Sequence, residues 1–224
     1  MDAPLIIVSG AYGSGKTEFA INLAARTREA GEDCVLVDMD VVNPYFRTRD
    51  VRDLFARRGI SVIAPEGQFA KADVPMLSPK IGGALTMRDR TVILDVGGDK
   101  MGARVLGRYC GEISVRQYSM ILVNNTRRPG SRDAEGAMAQ MDDIQHLSQL
   151  AFTEIVSNSH LMDETDQNII MEGVAAAQEI ALARDLLFNR VCILEGHENR
   201  VDAKAVGREI FILKKFMKKP WEIF

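Results

Sequence analysis

The sequence predicts a three-layer α/β fold built on a mostly parallel, seven-stranded sheet, on the strength of three observations. Short β-rich runs alternate with helical patterns along the whole chain, the pattern that βαβ crossovers impose. A glycine-rich loop stands between the first strand run and the first helical run. Two later strand runs end in aspartates, at the carboxyl edge where an open α/β sheet gathers its ligands.

Taken in order, the expected strands are Leu5 to Ser9, Cys34 to Asp38, Ile60 to Ala64, Thr91 to Asp95, Ser119 to Val123, Glu154 to Ser157 and Val191 to Leu194. Between the first two, Lys16 to Ala30 carries Phe19, Ala20, Leu23 and Ala24 on one face and stops at Gly31, a residue suited to closing a helix. Arg132 to Leu150 repeats the pattern with Ala137, Met141, Ile144 and Leu147. The longest helix is expected over Asp163 to Leu187, with Ile170, Val174, Ala177 and Ala181 at helical spacing. Val206, Ile210, Leu213 and Met217 share that spacing, which predicts a last helix packed on the sheet with Lys214, Lys215, Lys218 and Lys219 in solvent. The same basic stretch, with Phe216 and Trp221, also suits an anionic membrane surface, the less favoured reading. No repeat or linker interrupts this order, and 224 residues suit one domain spanning 1–224.

With 46% apolar residues the chain can bury a substantial core, and a formal charge of -3 with acids and bases mixed gives no field that would hold nucleic acid. The start has no basic segment, Leu5 to Val8 is too short for a leader, and no stretch approaches a membrane span, so a soluble cytoplasmic protein is expected. Cys34, Cys110 and Cys192 are widely spaced without a CxxC pair, which argues against disulfides or zinc; Cys34 and Cys192 are expected as buried thiols. His146, His160 and His197 show no ligand spacing, so no structural metal is assigned.

Chemistry enters with Gly10-Ala11-Tyr12-Gly13-Ser14-Gly15-Lys16-Thr17, which fits G-x-x-x-x-G-K-[ST] and sits between strand and helix, as a P-loop must. Glycines let the loop wrap with backbone N–H groups inward, and the helix N-terminus favours phosphate oxygens. Gly13, Ser14, Gly15, Lys16, Thr17 and Glu18 form the candidate nucleotide cradle. Lys16 is placed to reach terminal phosphates and the Thr17 hydroxyl to bind Mg²⁺. The run Thr91 to Gly98 reads as a buried strand ending in D-x-x-G. Asp95 is expected to hold Mg²⁺ through water, and Gly98 to donate its N–H to the γ-phosphate.

The other acidic end, Val35-Leu36-Val37-Asp38-Met39-Asp40, puts two carboxylates on one side of a strand. Here the sequence resembles the MinD/ParA-like (CobQ/CobB/MinD/ParA) group of P-loop proteins, in which the second strand ends in such a pair. Asp40-Val41-Val42-Asn43-Pro44-Tyr45-Phe46-Arg47-Thr48-Arg49 and Ala72 to Pro79 look like an uncharacterised bacterial branch of that group. The resemblance implies that Asp40 positions or activates the attacking water and that Asp38 supports the metal. It also implies a nucleotide-dependent homodimer and an unidentified protein partner. One departure bears on the dimer: the group's partitioning members carry a lysine after the first loop glycine, where this chain has Ala11. Arg47 or Arg49 could replace that charge or lie as solvated surface residues.

Ile155 to Leu161 places Asn158 where relatives present an asparagine to a purine edge; the less favoured alternative is a turn or capping residue, and Asn124-Asn125 is a weaker candidate for the purine. The guanine pattern N-K-x-D would need an acid where Leu161 stands, so ATP is expected over GTP. Cys110 follows the D-x-x-G region, where iron–sulfur ATPase relatives carry a cluster ligand, but a lone cysteine is weak ground for that role. The expectation is an Mg-ATP-binding switch ATPase with slow hydrolysis. The alternatives are a small-molecule phosphotransferase or ligase with an acceptor pocket near Pro65 to Pro79, and a nucleotide-gated membrane or protein scaffold.

Overall fold

Strand runs rich in Val, Ile and Leu, buried on both faces, build one sheet that the helices cover from two sides. The structure, a computed structural model, describes residues 4–40, 52–64, 78 and 80–217. The stretches holding Val41 to Arg49 and most of Pro65 to Pro79 lie outside those residues, as do Lys218 to Phe224. The elements run β1 (Leu5–Ser9), α1 (Lys16–Glu29), β2 (Cys34–Asp38), α2 (Arg52–Ala56), β3 (Ser61–Ile63), α3 (Ile81–Thr86), β4 (Thr91–Asp95) and α4 (Lys100–Gly107). They continue with α5 (Cys110–Ser114), β5 (Tyr118–Asn124), α6 (Ala134–Ser148), β6 (Glu154–Ser157), α7 (Gln167–Arg184), β7 (Leu187–Leu194), α8 (Ala203–Val206) and β8 (Glu209–Leu213).

All described strand pairs are parallel, in the order β3-β2-β4-β1-β5-β6-β7-β8. Strand alternation splits the core into two layers. Leu5, Ile7, Val35, Val37, Val92 and Leu94 pack with Leu85, Leu106, Met141, Ile144, Ile170 and Ile180 from α3, α4, α6 and α7. Val8, Leu36, Ile93, Ile121 and Val156 pack with Phe19, Leu23 and Ala24 of α1 and Phe55 of α2. Cys34 and Cys192 are buried in this second layer, and burial pushes the Cys34 thiol up to about 11 and Cys192 higher. Cys110 is half-buried against the first layer.

Several helix starts follow side-chain caps. Asp99 accepts from Gly102 N at 2.7 Å, Asp133 from Gly136 N at 2.8 Å and Asp166 from Ile169 N at 2.9 Å. The last two caps trim the expected helices to α6 and α7.

The C-terminal expectation needs correction. Helical spacing of Val206, Ile210, Leu213 and Met217 predicts a last helix, but α8 ends after one turn at Gly207, whose φ of 61° breaks the helix. The next residues, Ile210-Phe211-Ile212-Leu213, form an eighth strand in parallel register with β7, from Arg190↔Glu209 to Leu194↔Leu213. A short apolar run fits both periods, and here pairing and the glycine stop decide it. Phe211, 1% exposed, stacks on Phe19 with ring centroids 5.1 Å apart. Phe211→Ala should therefore cost about 3–5 kcal/mol in urea unfolding. A change within about 0.5 kcal/mol, as for a solvated position, would contradict the eighth strand.

Candidate functional site

The carboxyl ends of β1, β2 and β4 meet at one point, because β4 lies between the other two in the sheet. Residues 10–17 leave β1 and wrap into α1, with Gly15 at φ 88° as its first flanking residue. Only glycine suits that position: a Cβ there would lie 2.3 Å from the Asn158 amide nitrogen, besides the unfavourable φ. The loop is held from within by Ser14 N donating to Ala11 O at 3.0 Å, and from β6 by Asn158 Nδ2 donating to Ser14 O at 2.7 Å. Lys16 and Thr17 are both buried at the base of the loop.

Register then brings the acids together. Asp38 pairs with Asp95 across β2 and β4, and Val8 pairs with Asp95 across β1 and β4. Asp40 N donates to Asp38 Oδ1 at 3.1 Å, and Asp40 Oδ2 lies 3.4 Å from Lys16 Nζ, with both side chains buried. The D-x-x-G turn closes against the P-loop, since a Cβ on Gly98 would lie 1.6 Å from Gly10 O, and Gln140 Nε2 donates to Gly98 O at 2.8 Å. Lys16, Thr17, Asp38, Asp40, Asp95 and Gly98, distant in sequence, thus form one cluster.

Asp95 is the outlier. It is 0% exposed, and neither carboxylate oxygen meets the geometry of a hydrogen bond. Burial pushes its carboxyl up to about 7, Asp40 adds to the rise, and Lys16 and the nearby Thr17 hydroxyl oppose it. An orphaned buried carboxylate beside a threonine hydroxyl fits a hydrated Mg²⁺, which takes hard oxygen ligands and keeps several waters.

Beside the loop lies a cavity of about 460 Å³, within the range of small-molecule sites. Gly13, Gly15, Lys16 and Thr17 line its P-loop side; Met162, Leu194, Leu213 and Met217 supply apolar surface, and Arg128, Asn158 and His160 add polar groups. Asn158 is 1% exposed, so it lines the cavity while one amide donor is committed to the loop. Asn125 instead shapes the loop after β5, its Oδ1 accepting from Arg127 N at 2.9 Å. Burial, then the charges of Arg128 and His197, push His160 down to about 4, so its ring is neutral near pH 7.

The far wall of the cavity is the chain after β8, fastened to α1. Glu18 accepts from Phe216 N at 2.6 Å and Met217 N at 3.2 Å, while Asn22 donates to Lys214 O at 2.9 Å and accepts from Lys214 N at 2.8 Å. Burial raises the Glu18 carboxyl, and these backbone donors and Lys215 pull it back. Sequence reading placed Glu18 in the cradle but gave no role to Asn22, Arg128 or His160. The only hint was Asn22 as a polar residue, four after Glu18, within an apolar helix face.

No protein-family model and no curated protein matches the chain. Among solved structures it resembles the cell division protein FtsY of Thermotoga maritima, at 18% identity over 91% of this chain and 67% of that one, with a TM-score of 0.59. It also resembles the signal recognition particle 54 kDa protein of Aeropyrum pernix in complex with GDP, at 18% identity and a TM-score of 0.56, covering 96% of this chain but 42% of that one. A nucleotide-binding protein of Archaeoglobus fulgidus in complex with ADP matches at 14% identity and a TM-score of 0.51, over 84% of this chain and 80% of that one. At such identities the likeness shows the fold alone: a parallel α/β sheet of the kind these P-loop proteins share. It corrects the branch, since FtsY and the 54 kDa protein lie outside the MinD/ParA-like group. The motifs behind that resemblance follow from phosphate and Mg²⁺ chemistry, which P-loop branches share, so they could not select one.

Asp95 gives a testable sign. Its folded carboxyl titrates near 7 against 3.8 in the unfolded chain, so its cost to folding is absent below about 3.8, grows as pH rises, and is full above about 7. Asp95→Asn should therefore stabilise the ligand-free protein by about 1–3 kcal/mol at pH 8 and by little at pH 4, read by urea unfolding at both values. Equal effects at the two values would show that Asp95 is not buried and charged.

Proposed function

We propose that this chain binds an Mg²⁺–nucleoside triphosphate, most consistently ATP, and hydrolyses it slowly as a conformational switch in the cytoplasm. The observation that carries this reading is the Lys16–Asp40 ion pair at the base of the P-loop, beside the unpartnered carboxylate of Asp95. A lysine held by an aspartate is preorganised for exchange. The γ-phosphate offers Lys16 a stronger anionic partner, and Asp40, relieved of the lysine, can orient a water in line with that phosphate. Loop amides and the α1 N-terminus meet phosphate charge, and Gly98 N–H lies where the D-x-x-G turn abuts the loop. Thr17 and Asp95, supported by Asp38, would hold Mg²⁺, which supplies charge neutralisation across the phosphates. The buried free thiols Cys34 and Cys192 suit a reducing compartment.

The cavity favours adenine. Guanine presents an N–H donor edge that calls for a free acceptor pair, yet Glu18, the one acid among the described residues lining the cavity, accepts from Phe216 and Met217 N–H with its two oxygens. Leu161 stands where the guanine pattern puts an acid. Two similar structures hold different nucleotides, GDP in one and ADP in the other, so their likeness does not decide the base. Tyr12 on the loop, 71% exposed, and Met101 on α4, 43% exposed, offer apolar surface by which a protein partner could read the switch.

Phosphate release from Mg-ATP is expected well below about 10 s⁻¹ and faster than from Mg-GTP. Asp40→Ala should abolish release while keeping nucleotide binding, and Lys16→Ala should weaken binding itself. Tight binding with no turnover in the wild type, or a preference for GTP, would overturn the corresponding part of the reading.

A further inference from the structure

Building on the nucleotide-binding reading, we infer that Arg128 is the residue that recognises the nucleoside, its guanidinium plane forming a stacking face for the purine at the junction of P-loop and cavity. The inference starts from Gly13. A Cβ there would lie 3.3 Å from Arg128 Nε, 3.4 Å from its Cδ and 3.7 Å from its Cζ, so the arginine packs closely against the loop where a side chain is missing. Its Nε is buried there without a hydrogen-bond partner, and the same side chain lines the cavity.

The loop that presents Arg128 is built to hold it. Arg128 N donates to Asn125 O at 3.1 Å, and Ser131 Oγ donates to the same carbonyl at 2.9 Å. Thr126 N donates to Ser159 Oγ at 3.0 Å, which ties this loop to the one carrying Asn158 and His160. Its neighbour Arg127 turns away to pair with Glu172. The two adjacent arginines therefore face different tasks, and Arg128 alone is spent on the cavity.

Location argues for the base over the phosphates. Phosphate charge already has Lys16, the loop amides and a helix N-terminus, while Arg128, packed on Gly13 at the edge of the loop, lines the cavity together with Asn158, His160 and the apolar Met162. A planar, weakly hydrated guanidinium against such surface stacks on aromatic rings as well as pairing with anions. His160 complements it. Its Nδ1 accepts from Met162 N at 3.4 Å, which leaves Nε2–H as a donor for a ring nitrogen of the base.

The test separates base from phosphate. Binding of Mg-ADP and of Mg-tripolyphosphate, which has no nucleoside, is measured for wild type, Arg128→Ala and Arg128→Lys by calorimetry, with urea unfolding confirming that each variant folds. Arg128→Ala should weaken Mg-ADP about 5- to 100-fold and leave tripolyphosphate unchanged. Arg128→Lys, which keeps charge but loses the plane, should lose most of the same affinity. Equal losses for both ligands, full rescue by lysine, or no loss at all would each overturn the inference. A wild type that binds tripolyphosphate but no nucleotide overturns it too, whereas one that binds neither ligand defeats the nucleotide-binding reading on which it rests.

Discussion

Four ionisable side chains buried where the P-loop meets the ends of adjacent strands set the terms for the rest of this molecule. Lys16, Asp38, Asp40 and Asp95 are 5%, 2%, 4% and 0% exposed, and they bring one cation and three carboxyl groups into a region walled by apolar strands. Removing such charges from water costs several kcal/mol each, and one ion pair does not balance four ionisable groups. The shortfall collects on Asp95, which is unpartnered and titrates near 7. A fold that concentrates an unmet charge at its carboxyl edge marks that edge as a candidate ligand site.

The remainder of the architecture keeps that cluster together. Parallel register aligns Asp38 with Asp95, and the sheet order places β4 between β2 and β1, so motifs far apart in sequence end at one point. Close backbone approach at Gly98 and Gly10 locks the D-x-x-G turn onto the P-loop, leaving room for no side chain between them. Farther out, β8 extends the sheet and delivers Lys214 to Met217 to α1, where Glu18 and Asn22 hold the backbone. The helix that begins at the P-loop thereby also anchors the wall of the cavity beside it.

Much of this was legible in the sequence, for a physical reason. β1, β2, β4 and β6 fall on the strand runs expected, because a strand buried on both faces leaves a continuous apolar signal and its turn residues punctuate it. The Lys16, Thr17 and Asp95 positions follow from motifs whose spacing is dictated by phosphate and Mg²⁺. The eighth strand was not legible, because Val206 to Met217 satisfies helical spacing and only Gly207 and pairing with β7 decide against it. Arg128 was invisible for a different reason: its contact with Gly13 spans 115 positions of chain and depends on how two loops fold. The family branch was over-read, since an aspartate pair on a second strand reports shared chemistry more than shared descent.

The most direct measurement is the proton balance of Mg-ADP binding, taken by calorimetry near pH 6 in two buffers of different ionisation enthalpy. If the buried carboxyl that titrates to about 7 must ionise to accept Mg²⁺, binding should release most of one proton per site beyond that from the nucleotide itself. Tight binding with no such release would mean that Asp95 is already ionised or stays out of the site, and the cluster would lose the role given to it here.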